Sequence, residues 1–279
     1  MRKIILLVMA VAMVGCGKKT TPTEPEANTE PNAAADKQRS PKPESKLAAK
    51  IPANAFVNTL GMTFVPVPGT EVSFCIWETR VKDYAAYAAA NAGVDSGWKS
   101  PVLFTQADTH PVKSVNGEDA QAFCAWLTKK ELAEGEIKVG QKYRLPTDAD
   151  WSVAVGLGKE KGNTPEEKQS GIKDVYPWGK EWPPPKKAVN YHESLKVDKF
   201  EYTSPVGSFA ANKLGLHDMG GNVWEWSEDW YDPAAKVSRV LRGASSGNIN
   251  PDRLLSSYRL KVFFGRNCFI GFRCVLTNE

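Results

Sequence analysis

The chain has 279 residues, 42% of them hydrophobic and 24% charged, with a formal net charge of +4. Its lysines and arginines are spread along the chain and form no basic stripe interleaved with stacking aromatics, which excludes nucleic acid as a partner. Five cysteines and three histidines leave little soft or imidazole chemistry to distribute.

At the N-terminus Arg2 and Lys3 precede an unbroken apolar run at residues 4–14. That run is too short to cross about 30 Å of hydrocarbon, which takes roughly 20 helical residues. Its order of positive, apolar and small residues is that of a secretory signal peptide. Gly15-Cys16 at its end has the pattern of a lipoprotein signal. Residues 1–15 are expected to be a removable leader, with Cys16 lipidated and holding the protein to a bacterial membrane. Residues 16–50 hold no aromatic residue and are rich in Lys, Thr, Pro, Glu and Ala. They read as a lipid-anchored disordered tether, having little apolar surface to offset chain entropy. From Ile51 to Glu279 the composition is globular, and all nine tryptophans lie between Trp77 and Trp230. One exported domain facing the periplasm or the exterior is expected.

Within that domain residues 74–77 read as a strand and residues 81–91 as an alanine-rich helix. Asn116 and the acidic residues after it open a second helix, with Phe123, Cys124 and Leu127 at helical spacing on its apolar side and a closing glycine. Thr147 or its neighbour caps a third. Residues 158–218 hold few periodic runs but contain Tyr176, Trp178, Trp182, Tyr191 and Phe200, which points to packed irregular structure. Residues 239–246 and 270–276 return to strand-like sequence. With Cys16 taken by lipid, Cys75, Cys124, Cys268 and Cys274 form an even set in a disulfide-permissive compartment. Three pairings are open to them. The spacing of Cys268 and Cys274 matches no usual zinc site.

Ten strings follow one another in order: LGMTFVPVPG at 60–69, WETRV at 77–81, HPV at 110–112, AFCAWL at 122–127, YRLPTDADW at 143–151, YPWG at 176–179, PVGSF at 205–209, GLHDMGGNVWEW at 215–226, RGAS at 242–245 and GFRC at 271–274. Together they resemble the formylglycine-generating enzyme, or sulfatase-modifying factor, family across residues 58–278. The resemblance implies an α+β fold, a variant of the C-type-lectin fold low in regular secondary structure. It implies a Cys124–Cys274 disulfide, which leaves Cys75 and Cys268 for each other. Active members oxidise a sulfatase cysteine with oxygen and copper(I) held by two thiolates, soft donors suited to that ion. Carried over by position, the two cysteines fall at Asn248 and Arg253. Neither supplies a thiolate, so copper is not expected and no residue is assigned a catalytic role.

A branch of the same fold with histidine-ligated iron is not matched either, since His110, His192 and His217 each sit alone in a structural-looking string. The resemblance does imply structural calcium, a hard cation that takes oxygen ligands from loops. Its positions here are Asp218, Gly221, Val223 and Glu225, with a second set at Asn190, Tyr191, Asp198 and Phe200. Ser245, Asn248, Arg253 and Tyr258 are expected to line the pocket where family enzymes hold substrate. The implied function is a lipid-anchored, non-catalytic module that binds an exported protein, peptide or glycan. The alternative is an oxidase with an altered site acting on exported sulfatase-like proteins.

Overall fold

The computed structural model describes residues 53–263 and 265–277. The leader, Cys16 and the tether lie outside the described residues. Among the described residues no helix is long and apolar enough to cross a membrane.

Two sheets carry the fold. The first has strands β1 (Phe56–Val57), β2 (Thr63–Pro66), β3 (Val72–Cys75), β4 (Lys142–Arg144) and β9 (Val275–Thr277), in the order β1-β2-β3-β9-β4. The second has β5 (Trp224–Trp230), β6 (Arg239–Arg242), β7 (Leu260–Val262) and β8 (Ile270–Gly271), in the order β7-β6-β5-β8. All pairings are antiparallel except β5 with β8. The expected strand at 270–276 is thus two strands in different sheets. The chain leaves the second sheet at Gly271 and enters the first between β3 and β4 at Val275, crossing through Phe272-Arg273-Cys274, all fully buried. The expected strand at 239–246 stops at Arg242 because Gly243 (φ +91°) and Ala244 (φ +62°) turn into the left-handed region.

The helices begin where their caps dictate. In α1 (Val81–Ala90) the Asp83 carboxylate accepts from the Arg80 backbone N–H at 3.0 Å. Helix α2 (Gly117–Glu134) opens on a reciprocal capping box: Asn116 Oδ1 accepts from Asp119 N at 2.7 Å, and Asp119 returns the bond at 3.0 Å. It buries Ala120, Phe123, Cys124, Leu127 and Glu131, one face at helical spacing, and closes on Gly135 at φ +77°. Thr147 and Asp150 repeat the box at α3 (Asp148–Ala154). Two further helices are single turns, α4 (Pro165–Lys168) and α5 (Pro251–Leu254). Residues 158–218 are otherwise irregular but well packed: Tyr176 stacks on Trp178 at 4.7 Å, and Trp178 meets Tyr191 edge-on at 5.7 Å.

Cys124 on α2 and Cys274 stand side by side, their Sγ atoms 3.5 Å apart. Cys75 belongs to the first sheet and donates its backbone N–H to the Cys274 carbonyl at 3.0 Å, whereas Cys268 precedes β8 of the second. Burial pushes the Cys75 thiol up to about 12, so it stays protonated and unreactive.

Candidate functional site: a thiol-free loop beside a buried carboxyl cluster

The turn after β6 leads to the positions where family enzymes carry their cysteines. Ser245 donates through both its backbone N and its Oγ to Asn248 Oδ1, each at 3.0 Å, and Asn248 N returns a bond to the Ser245 carbonyl. The Asn248 carbonyl accepts from His192 N at 3.3 Å. Ser245 and Asn248 are thereby locked together as a closed turn. Asn250 caps α5 through Asp252 N, which places Arg253 on the exposed side of that helix. Tyr258 packs its ring 5.9 Å from Trp224. Of the four residues expected to line one pocket, only Ser245 and Asn248 touch each other through these bonds. The loop offers an amide, a hydroxyl and a guanidinium, and none of these is a soft donor for copper(I).

Behind the Asp218–Glu225 segment lies a buried charge cluster that runs across the whole sequence. Arg273 forks onto Glu225, Nε to Oε2 at 2.7 Å and Nη2 to Oε1 at 2.6 Å, with both side chains essentially inaccessible. Trp151 Nε1 adds a third bond to Oε2 at 3.1 Å. The same guanidinium holds the His217 and Asp218 carbonyls at 3.0 and 3.1 Å. Asp218 has φ +54°, and its Oδ2 accepts from Gly207 N. Glu78, completely buried, accepts from Asn222 Nδ2 at 3.0 Å and from Val223 N at 3.4 Å. Three buried carboxyl groups therefore face a single arginine. Burial, followed by the neighbouring Asp218 and Glu225, pushes Glu78 well above the usual carboxylate range; burial also raises Asp218, partly offset by the Gly207 N–H. Sequence reading missed Glu78. It sits inside the WETRV string with no periodicity to set it apart, and its partners are more than a hundred residues away.

The second expected cation set is also gathered. Asp198 Oδ1 accepts from Phe200 N at 2.7 Å and Oδ2 from Tyr191 N at 3.3 Å, closing the loop between them. Asn190 Nδ2 donates to the Tyr202 carbonyl and to Asn222 Oδ1, while Asn190 Oδ1 is buried without a partner. Asn222 N donates to the Asn190 carbonyl at 2.9 Å, bridging the two sets. Gly221, at φ +85°, permits that contact, since a Cβ there would sit 2.1 Å from the Asn190 oxygen. The donors of this second set fit a hard cation: an orphaned amide oxygen and a carboxylate that burial pushes up against the lowering effect of the Phe200 and Tyr191 N–H groups. The first set fits by donor type as well: Glu225 gives three of its roughly four acceptor sites to Arg273 and Trp151 and keeps one. Among the described residues no three His, Cys, Asp or Glu side chains cluster in metal-binding geometry. Any ion here would lean on backbone and amide oxygens.

A mixed helix-and-sheet scaffold with two curled sheets, long packed loops and the GNVWEW strand at its centre is the fold of formylglycine-generating-enzyme-like proteins. The profile of the sulfatase-modifying factor enzyme 1-like domain matches residues 44–278, and the chain belongs to that family. It is 35% identical over 194 residues to the inactive C-alpha-formylglycine-generating enzyme 2 of Bos taurus, covering 66% of this chain and 54% of that protein. With the formylglycine-generating enzyme of Thermomonospora curvata it shares 31% over 177 residues, 53% of this chain and 50% of that one. The chain thus spans about half the length of these relatives. Among solved structures, PvdO from Pseudomonas aeruginosa superposes with a TM-score of 0.58 at 22% identity, covering 82% of this chain and all of that one. CarF gives 0.51 at 21%, covering 75% and 87%. These two show the shared fold.

Proposed function

We propose that this chain is a non-catalytic sulfatase-modifying-factor-like module, held to a bacterial envelope membrane by lipid on Cys16, that binds an exported protein, peptide or glycan. One observation carries the reading. The positions of the family's thiol pair hold Asn248 and Arg253, the first tied into a turn with Ser245 and the second exposed. The resemblance to a relative named as inactive is consistent with this. The test incubates the purified chain with a sulfatase-type cysteine peptide, copper(I) and oxygen, and follows aldehyde by chemical capture and peptide mass. No aldehyde is expected from the natural chain. The double variant Asn248→Cys, Arg253→Cys is expected to gain copper(I) binding, read by competition with a chromogenic chelator. Aldehyde from the natural chain would instead establish the alternative, an oxidase with a relocated site.

Calcium belongs to the same proposal, as a structural ion held by Asn190 and Asp198 side chains with the Tyr191 and Phe200 carbonyls. A second ion would engage Asp218, Glu225 and the Gly221 and Val223 carbonyls. Bound calcium would supply the positive charge that the carboxyls lack. The sign of its pH dependence follows. Glu78 and Asp218 keep protons in the folded chain after the unfolded chain has lost them, so metal-free stability falls as pH rises from the ordinary carboxyl range toward their raised values. Calcium competes with those protons. The gain in Tm with excess calcium is therefore expected to be larger near about pH 8 than near about pH 5. Thermal melts in calcium and in chelator check this, and equal or absent gains at both pH values would refute it.

A further inference from the structure

A cleft of about 710 Å³ opens between the end of α3, residues 175–180 and residues 209–220. Its size falls within the range of small-molecule sites, and its lining is mostly apolar. Val189, Phe209, Leu216 and Met219 are buried residues that contribute to that lining.

The surrounding loops are held in place. Tyr176 and Gly179 exchange backbone hydrogen bonds at 2.7 and 3.0 Å, and Trp178 Nε1 donates to the Glu181 carbonyl at 2.8 Å while its ring stacks on Tyr176. On the other loop Asn212 Nδ2 reaches the Ala154 carbonyl at 2.8 Å, and its Oδ1 accepts from Leu214 N and Leu216 N. Gly156 and Gly179 also line the cleft, and a Cβ built on either would meet nothing within 4 Å. The hollow is therefore formed by ordered backbone.

Charge selects the occupant. Lys180, Lys213 and Asp218 are the charged residues of the lining. Asp218 is buried, with Oδ2 bonded to Gly207 N. Lys180 and Lys213 come from different loops, are exposed, and have no ion-pair partner among the described residues. We propose that this cleft binds a small amphipathic anion, its planar apolar body against the Tyr176–Trp178 wall and its carboxylate between Lys180 and Lys213. Aromatic rings provide stacking area, and two unpaired ammonium groups supply charge-assisted hydrogen bonds.

The probes are indole-3-propionate and its neutral amide, titrated into the purified chain by calorimetry. Saturable one-to-one binding of the acid is expected, with the amide weaker by about tenfold, close to 1.4 kcal/mol. The double variant Lys180→Ala, Lys213→Ala should lose a similar factor while its Tm stays unchanged. Ala211→Trp, which fills the cleft from its rim, should abolish binding in a chain that still melts cooperatively. Absence of saturable binding, equal affinity for acid and amide, or full affinity in either variant would overturn the assignment. The titrations are run with and without chelator, because Asp218 belongs both to this lining and to a proposed calcium set, and saturable binding of the acid is expected in both.

Discussion

Replacing Arg273 with alanine is expected to destabilise the domain by about 3–5 kcal/mol, the cost of stranding a buried charge. The guanidinium is the cation shared by Glu225, Glu78 and Asp218, and it also satisfies the His217 and Asp218 carbonyls. Truncation leaves Glu225 with Trp151 Nε1 as its remaining side-chain donor. Arg273→Lys should recover only part of the loss, because an ammonium cannot reproduce the planar fork. Urea unfolding of the three proteins measures the effect. The cost should be smaller under acid conditions, where the stranded carboxyls can take up protons. A loss below about 1 kcal/mol would place the pair among exposed ion pairs in worth and would refute the cluster as a stabilising unit.

Asp148→Ala carries the second large effect, again expected at about 3–5 kcal/mol. Asp148 opens α3 and bridges two fully buried arginines. Arg242 Nη1 bonds its Oδ1, while Arg259 reaches it with Nε at 2.9 Å and Nη2 at 2.9 Å. Glu160 still pairs with Arg259 at 2.7 Å, so Arg242 is the residue left without a carboxylate. Arg242 and Arg259 frame the segment that carries Ser245, Asn248 and Arg253, and the variant should loosen that loop first, visible as faster amide exchange there. The pH sign is opposite to that of Glu78. Burial disfavours the Asp148 carboxylate, but Arg242 and Arg259 more than offset it and hold the group below the ordinary aspartate range. Its stabilisation is present above the unfolded-state value and is lost as pH falls through the lowered native one. The difference between natural chain and variant should hold from about pH 5 to about pH 8 and shrink only in stronger acid. A difference that grew on acidification would contradict the assignment.

The parts of this protein that a reader could take from the sequence are those that depend on neighbours a few residues apart. Asn116 with Asp119 and Thr147 with Asp150 start helices because cap and capped amide are three residues from each other, so α2 and α3 were legible in advance. The long strings around Trp151 and Trp224 carried the family and with it the fold, and the lack of thiols at positions 248 and 253 is a property of sequence alone. Tertiary structure decided what depends on distant groups meeting in a buried place. It set the last strand between β3 and β4, put Cys75 beside Cys274, and left Arg253 outside the turn that joins Ser245 to Asn248. It also brought Glu78 to Asp218, Glu225 and Arg273. Burial and charge pairing act through space with no fixed spacing along the chain, so the carboxyl cluster has no signature in one dimension and exists only once the two sheets have closed over it.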